Sequence, residues 1–336
     1  MSEKNVMVYI EQHEKQIAGV SLELICKAKE LAAALNTDVS AAVLGCQMTD
    51  NLAELGRYGC SKVYYIDDPR LAKFTSVPYA KNIVQIIKKY SPQIVLFGAT
   101  VNGRDVAPRV ASELKCGLTA DCTDLKIGQH TIKEKVYNNI LLQIRPAFGG
   151  NIIATIVSPE STPSMATVRE GVMKMDAPNP KGKCEIITEK CFCSDKDFLT
   201  TVIEAIRQEK AVNLNAAQII VTAGMGAGNP EGLRLVAELA KTIGGVVGAS
   251  RPVVDAGLLP KDHQVGQTGT TVRPNLYIAC GVSGQIQHRA GMAEAKRIIA
   301  INNDPHAPIL SIAHYSIIGD LTDVIPKMIK AYKAKA

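Results

Sequence analysis

The sequence contains no tryptophan, and aromatic residues make up only 4% of it. So sparse a set offers few platforms on which single-stranded nucleic acid could stack its bases. The net charge of +6 is spread too thinly over 336 residues to suggest a phosphate-tracking surface. The one cluster of cations, Lys327, Lys330, Lys333 and Lys335, reads as the solvated face of a terminal helix. No apolar run reaches the length of a membrane span. The opening MSEKNVMVYIEQ lacks the basic, apolar and small-residue regions of a secretory signal. Nine cysteines occur without a single C-x-x-C pair, so neither a zinc centre nor an iron–sulfur cluster is indicated. Cys191 and Cys193 stand too close for a usual structural disulfide, and the odd total favours reduced thiols. These absences point to a cytoplasmic globular protein that binds neither nucleic acid nor membrane.

What is present is a regular alternation. VMVYIEQ reads as a strand, and SLELICKAKELAAALN as a helix with Leu24, Ala28, Leu31 and Leu35 on one face and a stop at Asn36. DVSAAVLG, KVYYIDD and QIVLFGAT continue the strands, with helices over NLAELGRYG, YAKNIVQIIKKY and GRDVAPRVASELKCG. Strands regularly separated by helices imply a parallel sheet covered on both faces. From about Thr119 to Val168 strands follow one another without helices, which predicts an extension of the same sheet in mixed orientation. The Pro-, Lys- and Gly-rich stretch MKMDAPNPKGKCEIITEK marks a transition. DKDFLTTVIEAIRQEK beyond it is expected to be a connecting helix.

The alternation then restarts with AAQIIVTAG, PEGLRLVAELAKTIGG, VVGASR, LYIACG, AGMAEAKR, IIAIN and a terminal helix LTDVIPKMIKAYK. A chain of this length exceeds the size near which single cores stop growing. The fold class is therefore α/β with two domains. Residues 1–196 form a nucleotide-binding-like α/β domain, and residues 197–336 a doubly wound parallel-sheet domain with a C-terminal helix.

In open parallel sheets ligands bind beyond the carboxyl ends of the strands. The second half repeatedly places small and polar residues there. QIIVTAG runs into Gly224-Met225-Gly226-Ala227-Gly228, whose G-x-G-x-G spacing is not the dinucleotide fingerprint and fits a tight turn equally well. VVGAS ends in Ser250-Arg251, where the arginine is a ligand contact or an ordinary surface ion pair. QVGQTG surrounds Gln267-Thr268 with glycines, and LYIACG opens onto Ser283, Gly284 and His288. Asn302 and Asp320 suit ribose or phosphate contacts and serve as well for helix capping. Together these strand ends are expected to line one cleft for a large, phosphate-bearing ligand.

GASRPVVDAG, QVGQTGTTVRPNLYIACGVSGQIQHRAGM and AINNDPHAPI, in this order, resemble the flavin domain of the electron-transferring flavoprotein alpha subunit. The first half is similar to the same family in FGATVNGRDVAPRVASELKCGLTADCT, so the resemblance covers nearly the whole chain. It implies one FAD held by this chain. Arg251 and Thr268 would lie by the flavin ring near N5, and His288 by its pyrimidine edge. Ser250, Val265, Gly266, Gln267, Ser283 and Gly284 would be further FAD contacts, as would Gln285, Ile286, Gln287, Asn302, Asp320 and Leu321. Met225 departs from the pattern, because many members carry an arginine there.

The resemblance also implies partners: a beta subunit holding a second FAD or an AMP, and an acyl-CoA dehydrogenase that receives single electrons. The residues near 193–200 are a candidate hinge for a moving flavin domain. Residues IRPAFGGNIIATIVSPESTPSMATVREGVM resemble members that split the two electrons of NADH between a low-potential acceptor, ferredoxin or flavodoxin, and a high-potential one. There Arg145 would lie close to the second FAD; alternatively it stabilises the subunit interface. Arg251 as a fixed cation, with His288 protonated or hydrogen-bonded, would favour negative charge on the ring and raise its first one-electron potential. The competing reading is a nucleotide-binding or thiamine-enzyme-like domain with a structural ligand and no redox turnover.

Overall fold

The computed structural model describes residues 5–147, 152–204, 212–214 and 217–334, and these fall into two compact units, one on either side of residues 205–211.

The first unit begins with β1 (Val6–Ile10), a short ribbon of β2 (Gln12–His13) and β3 (Gln16–Ile17), and α1 (Gly19–Leu35). β4 (Val39–Gly45), α2 (Thr49–Tyr58), β5 (Lys62–Asp67), α3 (Ser76–Tyr90), β6 (Ile94–Gly98) and α4 (Val101–Leu114) follow. The helices form where the sequence repeats apolar residues at helical spacing. In α1, Leu24, Ala28 and Leu31 are buried against the sheet with Leu35 partly buried. Asn36 stops the helix in the left-handed conformation, its amide donating to the carbonyls of Ala32 and Ala33.

Next come β7 (Leu118–Cys122), β8 (Asp124–Ile132), β9 (Lys135–Ala147), β10 (Ile152–Ile156), β11 (Ser164–Val168) and β12 (Glu185–Glu189). Seven strands join one sheet in the order β12-β5-β4-β1-β6-β11-β7, all pairs parallel. The segment 119–168 therefore divides, instead of extending this sheet as a whole. β7 and β11 join it in parallel, whereas β8, β9 and β10 build a separate antiparallel sheet. Most of β8 is only partly buried or exposed, which an antiparallel sheet open on one face tolerates and a central parallel strand does not.

The expected connecting helix is also absent from the described residues. Asp195–Asp197 make one tight turn, and residues 198–204 carry no regular structure. Lys81 binds Asp197 at 2.7 Å, Arg70 binds Asp195 at 2.6 Å, and the Arg70 guanidinium lies 4.6 Å from the Phe198 ring. The chain is thus strapped to the first unit up to Phe198, and a hinge in this stretch would have to lie beyond it.

The second unit holds β13 (Ile219–Ala223), α5 (Pro230–Thr242), β14 (Val246–Ala249), α6 (Arg251–Asp255) and β15 (Leu276–Cys280). α7 (Ile286–Arg289), β16 (Ile298–Asn302), β17 (Tyr315–Ile318) and α8 (Leu321–Lys333) complete it. Its parallel sheet has the order β14-β13-β15-β16-β17. Val221, Ala223, Ile278 and Cys280 pack under α5 and α8 on one face. Ile220, Tyr277, Ala279 and Ala300 pack on the other, largely against non-helical chain. AGMAEAKR, expected as a helix, is a series of turns after the four residues of α7. Among the described residues no helix is long and apolar enough to cross a membrane.

Candidate functional site

The strand order of the second unit reverses between β13 and β15, so the crossovers on either side leave in opposite directions and open a crevice at the carboxyl ends. A cleft of about 510 Å³ lies there. Its floor depends on a close backbone approach. A Cβ on Gly224 would sit 2.1 Å from the Gly281 carbonyl oxygen, and one on Gly281 would sit 2.8 Å from the Ala227 amide. Gly281 also has φ of 63°, a conformation costly for side-chain-bearing residues. The turns 224–228 and 281–284 therefore need glycine to pack together and define one wall.

Most of the residues expected from the sequence converge here. Ser250, Arg251, Val265, Gly266, Gln267, Thr268, Ser283, Gln285, Gln287, His288 and Asn302 all line the cleft. Gln264 is buried and donates from its amide to Thr268 Oγ1 at 2.9 Å, leaving the threonine hydroxyl hydrogen free to donate elsewhere. Asn302 ties β16 to the 281–283 turn, donating to the Val282 carbonyl at 2.9 Å and accepting from the Asp304 amide at 3.0 Å. Arg251 is exposed and paired with Asp255 at 3.2 Å.

Gly284, Ile286, Asp320 and Leu321 stand apart from the cleft lining. Gly284 packs on Ile309, where a Cβ would meet its backbone nitrogen at 2.2 Å. Asp320 caps α8, accepting from the Thr322 amide at 2.8 Å and hydroxyl at 2.7 Å, and these bonds hold its carboxyl below the usual range. Leu321 packs into the core beneath that helix.

His288 is enclosed, and burial pushes its imidazole down to about 4. Burial therefore disfavours the protonated alternative and favours the hydrogen-bonding one. Nε2 lies 2.9 Å from the Tyr277 hydroxyl. A hydroxyl donating to Nε2 fixes the proton on Nδ1. Among the described residues Nδ1 has no partner at hydrogen-bonding geometry, although the Val265 backbone acts on the ring and offsets part of the burial effect. The Ser250 hydroxyl, also buried, is likewise without a partner among the described residues. Two orphaned polar atoms in residues that line the cleft are expensive unless a ligand satisfies them.

Sequence reasoning missed Tyr277 and Gln264, which aim the imidazole and the threonine hydroxyl. Their signal was a polar side chain inside an otherwise apolar strand or beside a glycine loop. It also passed over Gly226, Pro252, Gly281, Val282, Asp304 and Ala307 as lining residues, and left Met225, which is present in the wall, aside.

Arg145 belongs to the first unit. It lies on β9 opposite Ala154, half-buried, with Cys122 and Arg169 in its electrostatic neighbourhood. Residues 148–151, which complete its R-P-A-F-G-G-N motif, lie outside the described residues.

An open crevice at the switch point of a doubly wound sheet, walled by glycine turns and lined by unsatisfied donors, defines a nucleotide-cofactor-binding protein. Residues 6–190 match the electron transfer flavoprotein domain and residues 213–293 the electron transfer flavoprotein FAD-binding domain. The electron transfer flavoprotein subunit alpha of Thermoanaerobacterium thermosaccharolyticum is 45% identical, the alignment covering 98% of each chain. The acryloyl-CoA reductase electron transfer subunit beta of Anaerotignum propionicum is 40% identical over 98% of this chain and 96% of that one. The lactate dehydrogenase (NAD(+),ferredoxin) subunit LctC of Acetobacterium woodii is 40% identical over 97% of this chain and 76% of that one. The chain belongs to the electron transfer flavoprotein alpha subunit family. It is an electron-transfer subunit that binds FAD in its second unit, and the orphaned Ser250 and His288 atoms fit that group as donors to its polar ring and chain atoms.

Proposed function

We propose that this chain works with a beta subunit as the single-electron shuttle of an NADH-dependent electron-bifurcating flavoprotein, delivering electrons to an acyl-CoA dehydrogenase while ferredoxin or flavodoxin takes the low-potential electron. The observation that carries the reading is that His288 Nδ1 and the Ser250 hydroxyl, both buried in residues lining the cleft, are unsatisfied among the described residues. FAD, when bound, supplies the capacity to accept and release electrons singly.

The protein's own part is to set how favourable each step is. In this reading Tyr277 donates to Nε2 of His288, which leaves the proton on Nδ1 as a donor without a fixed charge on the ring. Gln264 holds Thr268 so that its hydroxyl donates as well. Arg251 adds a permanent cation whose position is restrained by Asp255. Donors and a cation directed at one region favour negative charge there, because hydrogen bonds to charged groups are stronger than those to neutral ones. Asp320 and Leu321 lie at the same carboxyl edge of the sheet beyond the cleft, and in this reading they meet the nucleotide end of the cofactor. Arg145, in the first unit, is assigned to a second FAD held mainly by the beta subunit. The names of the two relatives that mention acryloyl-CoA reductase and NAD(+) with ferredoxin support the acyl-CoA and bifurcating parts of this proposal.

The test is a spectrally monitored reductive titration of the chain purified with its beta partner. Two FAD per heterodimer, only one of them reduced in separate one-electron steps, is the expected result. One FAD together with AMP would reduce the function to simple electron transfer. A complex without flavin would overturn the reading.

A further inference from the structure

We propose that Cys191 and Cys193, just after β12, form a reversible dithiol–disulfide centre that responds to small-molecule disulfides. Both sulfurs converge on one amide: Asn82, fully buried in α3, has Nδ2 3.1 Å from Cys193 Sγ and 3.6 Å from Cys191 Sγ. Asn82 Oδ1 accepts from the Phe192 amide at 2.8 Å, so the same side chain holds the residue between the two cysteines. This clamp presents two thiols on the same side of a three-residue segment, close enough to act on each other.

The two thiols are not equivalent, and the difference assigns their roles. Cys191 is half-buried and lies among Asp68, Arg70 and Lys81. Cys193 is buried, donates to the Pro78 carbonyl at 3.5 Å, and burial pushes its thiol up to about 12. Cys191 is therefore the attacking sulfur and Cys193 the resolving one.

Cys191, having lost its proton, attacks one sulfur of the incoming disulfide. A mixed disulfide forms and one thiolate leaves, taking up that proton. Cys193 then attacks Cys191 Sγ, closes the ring, and passes its proton to the second departing thiolate. Two S–H bonds and one S–S bond break in the protein and oxidant; one S–S and two S–H bonds form. The protein is oxidised by two electrons and the small disulfide is reduced to two thiols. A C-x-C ring closes with few residues, so it restrains the unfolded chain little and suits a labile, reversible bond rather than a structural one.

The site lies where the strap 191–198 is fastened to the first unit. Drawing the sulfurs together strains their contacts with Asn82 and removes the Cys193 bond to Pro78, leaving Phe192–Asn82, Lys81–Asp197 and Arg70–Asp195 as polar ties. Oxidation is thereby coupled to loosening of the residues leading out of that unit.

The FAD-loaded full chain should be treated with oxidised glutathione, quenched in acid, and analysed by intact mass and peptide mapping. A loss of two hydrogens, a Cys191–Cys193 cross-link and full reversal by dithiothreitol are expected. Cys193→Ser should stop at a glutathione adduct on Cys191, and Cys191→Ser should remain unmodified. Hydrogen exchange at the Phe192 amide should quicken at least severalfold in the oxidised chain. An unmodified Cys191, a persistent adduct in the native chain, or a bond to another cysteine would overturn the centre. Unchanged exchange would overturn its coupling to the strap.

Discussion

Both units carry a parallel sheet whose strand order reverses, between β1 and β6 in the first and between β13 and β15 in the second. The two crevices have opposite contents. In the first, Glu11 follows β1 directly and is buried, accepting from the Thr100 hydroxyl and, at 3.3 Å, from the Asn102 amide. Its own amide donates to Ser21 at 2.9 Å, and Thr100 caps α4 by accepting from Gly103. A carboxylate of the chain itself thus sits at the helix N-terminus, where a ligand's phosphate would otherwise be favoured. In the second, Gly224 follows β13, Gly281 follows β15, and Ser250 and His288 keep unsatisfied polar atoms. Equivalent topology therefore leaves ligand binding open; the residue placed immediately after each strand decides it.

The largest effect is expected from filling the second crevice with a single methyl group. Gly281→Ala would press a Cβ into the Ala227 amide at a positive φ. Overpacking of this kind costs roughly 1–3 kcal/mol. The purified chain should be nearly free of FAD with a lowered thermal midpoint; a yellow, equally stable variant would break the comparison.

His288→Ala sharpens it. A hydrogen bond to a charged group is worth roughly 1.5–3 kcal/mol, and about 59 mV corresponds to a tenfold change for one electron. The first reduction potential should fall by an amount on the order of 60–130 mV, read by potentiometric titration. The same residue gives the second unit a pH dependence. Between its ordinary value of 6.5 and about 4 the unfolded chain binds more protons than the folded one. Stability should drop as pH falls through that window, by up to about 1.4 kcal/mol per pH unit, and His288→Gln should remove that slope in denaturant titrations.

Glu11→Gln tests the other side of the comparison. Burial raises this carboxyl above its usual range, so its contribution is fully present in acid and is lost as pH rises through the folded-state value. Wild type should gain on Glu11→Gln as pH is lowered, with FAD content unchanged; nucleotide uptake by the first unit in the variant would break the contrast. Met225→Arg should have the smallest effect. Met225 is 54% exposed on the cleft wall. An added cation at such a site contributes about 0.2–1 kcal/mol, a few-fold slower loss of FAD measured by dialysis.

Much of this was legible in the chain. VMVYI, VSAAVLG, IIVTA and LYIAC are near-continuous apolar runs because strands buried on both faces need them, and S-R, V-G-Q-T and, save for Gly284 and Ile286, S-G-Q-I-Q-H mark the cleft lining. The strands over 119–168 were legible as strands while their partners were not, since pairing depends on residues far along the chain. DKDFLTTVIEAIRQEK has helical spacing, yet Asp195 and Asp197 are taken by Arg70 and Lys81 from a distant loop and helix. Gly281, Tyr277 and Gln264 look ordinary until the turns they support face one another.

The sequence by itself determined most strands of the two parallel sheets and the long helices, because periodic burial and capping act over a few residues. It also determined which strand ends carry donors and small residues. Tertiary structure decided that β8–β10 leave the main sheet, that Glu11 fills one crevice while the other stays open, and that His288 is buried, which disfavours its charged form. Each of those outcomes turns on desolvation and contacts between segments tens to more than a hundred residues apart, which no local pattern contains.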